Sequence, residues 1–324
     1  MKRPWITFIL LIVSCFFASQ VQSSWGKVTV QSIKIPTQNG QWLVADLFKP
    51  KTATSKNPAP AVIVIPGFQR SKETLSNISI ELSRRGIVVF NIDPYAQGGS
   101  SSSFSRRAAT TEGYGMFALV EYLYNTPNIN YIDKDLIGSF GHSAGGLAAI
   151  RGAQHFGKQS KKYPGENKLH SVFVSGMVRM GFKKKDIKNI DSNVGLSYAL
   201  YDEGAWQNQL KNGDMSVAPE ALNLVRHQAS DSSISVIEMD NFYGKLKDRN
   251  LTIVHNEKVL HPMQPYLFEP MKNQINFFLK TFNIEQSIVP ANQVWHWKEF
   301  FTLIALVCSF LLIIPFANFL IEFP

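Results

Sequence analysis

Cysteine is almost missing from this chain: Cys15 and Cys308 are the two that occur in 324 residues. Each lies inside an apolar terminal run, so the sequence offers neither a disulfide framework nor a cysteine-based metal site. No His-Glu-x-x-His or comparable spacing supplies another metal ligand set, and no metal or cofactor is expected. The glycine- and serine-rich run Gln97 to Ser103 lacks the Gly-x-x-x-x-Gly-Lys pattern of a phosphate loop. No internal repeat is evident. Basic residues are not interleaved with aromatics in the manner of a nucleic-acid module, so no nucleic-acid partner is expected, and no protein partner is identifiable. Acidic residues are in deficit, leaving a formal net charge of +9. The excess is spread, with small clusters at Lys161-Lys162 and Lys183-Lys184-Lys185. It reads as a solvated basic surface, the sharper alternative being attraction to an anionic membrane or wall polymer.

Long apolar runs are confined to the two ends. Lys2 and Arg3 precede an apolar stretch from Trp5 to Ala18, and Val21-Gln22-Ser23 follows with small residues at a signal-peptidase spacing. Residues 1–23 therefore read as a signal peptide, or as an uncleaved N-terminal membrane anchor. Ile12-Val13-Ser14-Cys15 has the form of a lipoprotein cleavage box, but the apolar Phe16-Phe17 and the very short leader argue against cleavage there. At the other end Phe300 to Leu320 carries no charge and follows Trp295 and Trp297. About 20 apolar residues cross a bilayer, and aromatics favour its interface, so residues 299–320 are expected to form a transmembrane helix after a linker over 286–298. Pro315 is placed to kink it. The N-terminal charges put the start of the chain in the cytoplasm and the domain over 24–285 on the extracytoplasmic side of the membrane. Ile321-Glu322-Phe323-Pro324 supplies no basic anchor, which leaves open that the chain is the first part of a longer multi-span protein.

Hydrophobic residues make up 45% of the chain, enough for the full core of one large α/β domain. Lys27 to Pro36 alternates apolar and polar residues as a half-buried strand does. Asn39-Gly40 signals a hairpin, and Gln41 to Lys49 returns. Ala61 to Ile65 is continuously apolar, as in a strand buried on both faces. Pattern then predicts a helix over Glu73 to Arg85 with Leu75, Ile78 and Leu82 on one face, a strand over Ile87 to Ile92 and a helix over Gly115 to Asn125. The stretch Leu136 to Ala149 is the centre of the chain: an apolar run, then Gly141-His142-Ser143-Ala144-Gly145, then a small-residue helix start. This is a Gly-x-Ser-x-Gly nucleophile elbow in its required strand–turn–helix setting. Such a serine must sit on a sharp, strained turn. Gly141 and Gly145 stand where a Cβ would collide with the neighbouring strand or helix, and Gly146 and Ala148 let the helix approach the sheet. Further strands are expected at Leu169 to Val174, Val194 to Leu200 and Leu251 to Val254. A helix is expected near Pro219 to His227, inside a polar insert from Ala205 to Lys247 able to roof a pocket, and a last helix over Gln264 to Phe282. Alternating strands and helices make this an α/β chain with a mainly parallel sheet.

Taken together the chain resembles the α/β-hydrolase superfamily, in its serine esterase, lipase or dienelactone-hydrolase-like branches. The resemblance covers residues 28–283 and is carried by Val62-Ile63-Val64-Ile65-Pro66-Gly67-Phe68, by Asn91-Ile92-Asp93-Pro94-Tyr95 with its Gly-Gly-Ser tail, by Gly138 to Gly146, by Ala199-Leu200-Tyr201-Asp202-Glu203 and by His261. It implies an α/β-hydrolase fold with a mostly parallel eight-stranded sheet flanked by helices. It also implies a triad in the chain order nucleophile, acid, histidine, which Ser143, Asp202 and His261 obey. The oxyanion would be held by the backbone N–H groups of Phe68 and Ala144. Pro66 departs from the family, many of whose members carry His before that glycine.

Several residues compete for these roles. Glu203 adjoins Asp202, but the family places Asp after this strand. His255 ends the last strand and reads instead as a strand-end surface histidine, since the base sits on the loop beyond. His142 reads as packing beside the serine, His227 as part of a solvated helix face, and Asp93 as a structural hydrogen-bonding group. The function expected is an exported, membrane-tethered serine hydrolase acting on a small-molecule or lipid-like carboxylic ester. The alternatives are a catalytically idle binding or sensor domain of this fold and a serine peptidase of the same superfamily.

Overall fold

The computed structural model describes residues 4–163, 166–178, 180–202, 204, 206, 208–285 and 288–322. Nine strands form one sheet: β1 (Val28–Pro36), β2 (Trp42–Pro50), β3 (Ala59–Ile65), β4 (Val88–Ile92), β5 (Ile132–His142), β6 (Ser171–Ser175), β7 (Asn193–Ala199), β8 (Phe242–Tyr243) and β9 (Thr252–Glu257). Their order is β1-β2-β4-β3-β5-β6-β7-β9-β8. From β4 to β9 every neighbouring pair is parallel. The β1–β2 hairpin and β8 lie antiparallel at the two edges. Eight of the strands answer the expected pattern. The ninth, β8, is two residues long and too short to leave a periodic signal.

The inner strands are buried along their length because helices cover both faces. The helices are α1 (Pro4–Gln22), α2 (Ser76–Ser83), α3 (Ala108–Thr111), α4 (Met116–Asn125), α5 (Ala144–Lys162), α6 (Lys184–Ile187), α7 (Pro219–Ala229), α8 (Phe268–Thr281) and α9 (Trp295–Glu322). On one face α3, α4, α5 and α7 close a core around Leu119, Ile150 and Leu224. On the other α2 and α8 close a second core around Ile80, Phe140 and Phe278, which also receives Trp295 of α9. The insert expected to roof a pocket is thus a flanking layer: Met215, Leu222, Val225 and Ile237 from it belong to the first core.

Among the described residues two helices are long and apolar enough to cross a membrane, α1 and α9. At 1.5 Å per residue they span about 28 Å and about 42 Å, against a hydrocarbon core of about 30 Å. They lie side by side, with Phe17 stacked on Phe301 at a centroid distance of 5.2 Å. Phe17 is near the end of α1 and Phe301 near the start of α9, so the pair is antiparallel and leaves the body at one place.

The start of α9 is bound to α2. Glu81, fully buried in α2, accepts hydrogen bonds from the backbone N–H of Val294 (2.6 Å) and Trp295 (2.9 Å) through one carboxylate oxygen. Its other oxygen meets Arg84 at 2.8 Å and Arg85 at 2.7 Å. Arg85 in turn donates to the carbonyls of Ile288, Val289 and Asn292. A carboxylate at a helix N-terminus satisfies its orphan N–H groups and opposes its positive dipole end. The segment expected to be a linker is therefore strapped to the body. The strap also covers α2, whose eight residues are all buried rather than apolar on one face only.

Candidate active site

Ser143 stands between β5 and α5 with φ 56° and ψ −121°, a conformation that costs a non-glycine residue energy. Neighbours hold it from both sides. Its N–H donates to the carbonyl of Ser175 in β6 at 2.8 Å, and its own carbonyl accepts from Leu147 at 3.1 Å. The turn is possible because flanking side chains are missing. A Cβ on Gly141 would lie 2.0 Å from the carbonyl oxygen of Gly145, and one on Gly145 would lie 2.0 Å from that of Ile65, at the end of β3. The loop after β3 passes equally close, since a Cβ on Gly67 would sit 3.2 Å from the Cβ of Ser143. Ala144 is the first residue of α5, so its N–H has no helical partner. The N–H of Phe68 donates to no backbone group among the described residues.

His261 opens a short 3-10 turn, His261–Tyr266, that follows β9. Its Nδ1 lies 2.7 Å from Oδ2 of Asp202. The approach is oblique, and Nδ1 makes no well-aligned hydrogen bond. The other oxygen of Asp202 accepts the N–H of Gly204 at 2.7 Å. Burial works to raise the Asp202 pKa, but the His261 ring and the Gly204 N–H outweigh it, and the carboxyl is held below its ordinary value. Glu203 lies outside the described residues.

His142 braces the turn from below. Its Nε2 is 3.1 Å from the carbonyl oxygen of His261. A carbonyl only accepts, so this nitrogen carries the proton. Burial, seconded by the neighbouring His261, pushes the His142 pKa down to about 3, so the ring stays neutral. The two rings are 4.7 Å apart. Ser143 and His261 line one cavity of about 210 Å³ together with Gly67, Phe68, Arg70 and Tyr266. No hydrogen bond joins the Ser143 hydroxyl to the His261 ring; such contacts are often long before substrate binds.

Other candidates are placed elsewhere. His255 is buried on β9 rather than exposed. It pairs with Asp240 at 2.5 Å and stacks on Phe173, so its packing in the second core replaces the solvent expected there. His227 is half-buried on α7. Neither lines the cavity, nor does any described residue of 205–247. Asp93 accepts the N–H groups of Lys72 and Gly99, each at 2.9 Å. Gly98, at φ 55°, lies so close that a Cβ would be 2.2 Å from the Asp93 carboxyl carbon. The glycine-rich loop is therefore wrapped on a carboxylate instead of open to a phosphate.

Three contacts had no sequence signal. Asn77 of α2 donates to the carbonyl of Pro265 at 2.7 Å and ties α2 to the histidine turn. Gln264, three residues after His261, donates to Glu257 at 2.9 Å, and Asn273 donates to the other oxygen at 3.1 Å. Burial pushes the Glu257 carboxyl up to about 7 despite these donors. Asn77 and Pro265 are so far apart in the chain that they meet only once the sheet has formed. Among the described residues no group of His, Cys, Asp and Glu is arranged to hold a metal.

No family model and no curated protein matches the chain. Solved structures do. The esterase Pf2001 of Pyrococcus furiosus superposes with a TM-score of 0.55 at 15% identity, over 82% of this chain and 93% of that one. The α/β hydrolase GrgF of Penicillium sp. sh18 gives 0.52 at 12% identity, over 79% and 99%. Est1E of Butyrivibrio proteoclasticus, with ferulic acid bound, gives 0.50 at 14% identity, over 78% and 98%. At these identities the likeness speaks for the fold: a mixed nine-stranded sheet with flanking helices, the α/β-hydrolase fold.

Proposed function

We propose that this chain is a membrane-tethered serine hydrolase that cleaves carboxylic esters. The observation that carries the reading is the strained Ser143 lining one cavity with His261, while the far side of that imidazole meets Asp202 at 2.7 Å. In this reading the Ser143 oxygen attacks the ester carbonyl and its proton passes to Nε2 of His261. The tetrahedral oxyanion is held by the N–H groups of Phe68 and Ala144, the latter at the positive end of α5. Collapse breaks the bond to the leaving oxygen, which takes the proton from His261. Water then attacks the acyl-serine with His261 as base, releasing the acid and restoring the hydroxyl. Asp202 holds the imidazole in the tautomer with its proton on Nδ1 and opposes the positive charge that forms. His142, neutral and bonded to the backbone of His261, fixes the turn and takes no proton.

The tether is α1 and α9, with the body on the extracytoplasmic side because Lys2 and Arg3 precede α1. The test is a fluorophosphonate probe applied to the full chain. Labelling is expected and should vanish in Ser143→Ala. Labelling that persists in the alanine variant, or a wild-type protein that neither labels nor turns over p-nitrophenyl butyrate, would overturn the assignment.

A further inference from the structure

Two cavities adjoin the elbow: Ser143 lines the first, its neighbour Ala144 lines the second, and Phe68 lines both. The first, already described, lies on the side of α9. Its wall includes Leu75 and Tyr266. Ser76, next in the chain after Leu75, accepts a hydrogen bond from Lys298 of α9 at 3.4 Å. The Asn77–Pro265 bond and the Glu81 strap lock the same pieces together. The cavity wall and the helix that enters the membrane are therefore one block. Exposed apolar side chains flank these lining residues in the chain: Phe68 in the wall itself, Leu260 and Met263 on either side of His261, and Phe268 two residues after Tyr266. Phe268 lies 5.6 Å from Trp295 and 5.1 Å from His296 by ring centroids, so the apolar rim runs into the first turn of α9. Soluble surfaces seldom gather such a patch without a use for it.

The second cavity, about 880 Å³, is lined by Ala144 and Leu147, which follow the serine in α5. Arg106, Arg107 and Arg151 line it, and among the described residues no Asp or Glu does. Arg151 is held by Asp186 at 3.3 Å and Gln154 at 2.8 Å. Arg106 and Arg107 are exposed and make no ion pair among the described residues. The two guanidinium groups of Arg106 and Arg107 fit a phosphate, which arginine binds with paired hydrogen bonds.

We propose that the ester cleaved here belongs to an anionic glycerophospholipid of the leaflet that α9 enters, its acyl chain crossing the apolar rim and its phosphate lying in the arginine groove. This rests on the acyl-transfer reading above. The bond broken joins the acyl carbonyl to a glycerol oxygen, which leaves with the proton from His261. The bond formed joins the acyl carbon to Ser143, and water then releases the fatty acid.

The test uses the full chain in vesicles of phosphatidylcholine and phosphatidylglycerol in equal amounts, with fatty-acid release followed for each headgroup by mass spectrometry and p-nitrophenyl butyrate assayed in the same preparation. Phosphatidylglycerol should be cleaved about tenfold faster than phosphatidylcholine, because the choline cation beside the same phosphate is repelled by the arginines. In Arg106→Gln/Arg107→Gln that ratio should fall to near one, and in Arg106→Lys/Arg107→Lys most of it should remain. With p-nitrophenyl butyrate turned over, three results would each overturn this proposal alone. They are no phospholipid cleavage, equal wild-type rates on the two lipids, and a ratio unmoved by the glutamine pair. Dihexanoyl-phosphatidylglycerol free in solution, cleaved as efficiently as the vesicle lipid, would overturn the leaflet as the source. No turnover of any ester would remove the acyl-transfer reading and this one with it.

Discussion

The hydroxyl of Ser143 reaches its cavity because two neighbours have no Cβ, and a single methyl group tests that. In Gly145→Ala the new carbon would meet the Ile65 carbonyl at 2.0 Å, a backbone atom that cannot rotate away. The elbow must shift, and misplacement of about 1 Å costs on the order of 10²-fold in turnover. Ester hydrolysis in Gly145→Ala should fall by that much; near wild-type rates would mean that the elbow is not the reacting turn. Asp202→Asn keeps the shape but favours the wrong imidazole tautomer, and kcat should drop roughly 10⁴-fold with KM little changed. Steady-state kinetics on p-nitrophenyl butyrate decide it, a loss under tenfold being the contrary result. Glu257 carries a pH signature of another kind. Burial raises its carboxyl from 4.5 to about 7 in the folded protein. Between those values the folded chain binds more protons than the unfolded one, so stability falls as pH rises and levels off above about 7. The full cost is roughly 3 kcal/mol. Urea unfolding in detergent from pH 5 to pH 8 should show that slope, and Glu257→Gln should flatten it whatever the absolute stability.

At the scale of elements, the strap from α2 to α9 differs most from what the chain's pattern conveys. Glu81 reads in the sequence as one polar residue on a helix with an apolar face. In the fold it is the shared acceptor for two arginines and for two N–H groups at the head of α9. Removing its charge leaves Arg85 buried without a counter-ion, which typically costs about 3–5 kcal/mol. Glu81→Gln should therefore lower the melting temperature of the full chain. It should also open residues 288–294 to proteolysis; an unchanged digestion pattern would show that the strap contributes little. The contrast with the elbow explains what was legible. Gly141, Ser143 and Gly145 fall within one five-residue stretch and serve one turn, so their chemistry is written locally. The strands β3 to β7 are legible too, because burial on both faces leaves continuous apolar runs. The Glu81 strap and the Asn77–Pro265 bond depend on polar residues meeting across long stretches of chain, and the Glu257–Gln264 brace on a turn that folds back over seven residues. No period or spacing records such meetings. β8 was silent for a simpler reason: two residues cannot alternate.

For the whole molecule, the antiparallel pairing of α1 and α9 makes a prediction about sidedness. If both helices cross the bilayer, the chain's two ends share one side and the body between them occupies the other. The block formed by α2, the histidine turn and α9 then fixes how far the mouth of the cavity stands from the lipid. Lys247 is exposed on the body and Ile321 is exposed near the end of α9. In a chain with Cys15 and Cys308 replaced by serine, a membrane-impermeant maleimide should label Lys247→Cys on intact cells. Ile321→Cys should react only after the membrane is permeabilised. Labelling of both before permeabilisation would mean that α9 does not cross, and the reverse pattern would put the body in the cytoplasm. The first result would remove the physical reason for an apolar rim at the head of α9; the second would leave that reason and exchange one leaflet for the other. A serine site fed from the leaflet must open on the side where that helix emerges from the lipid.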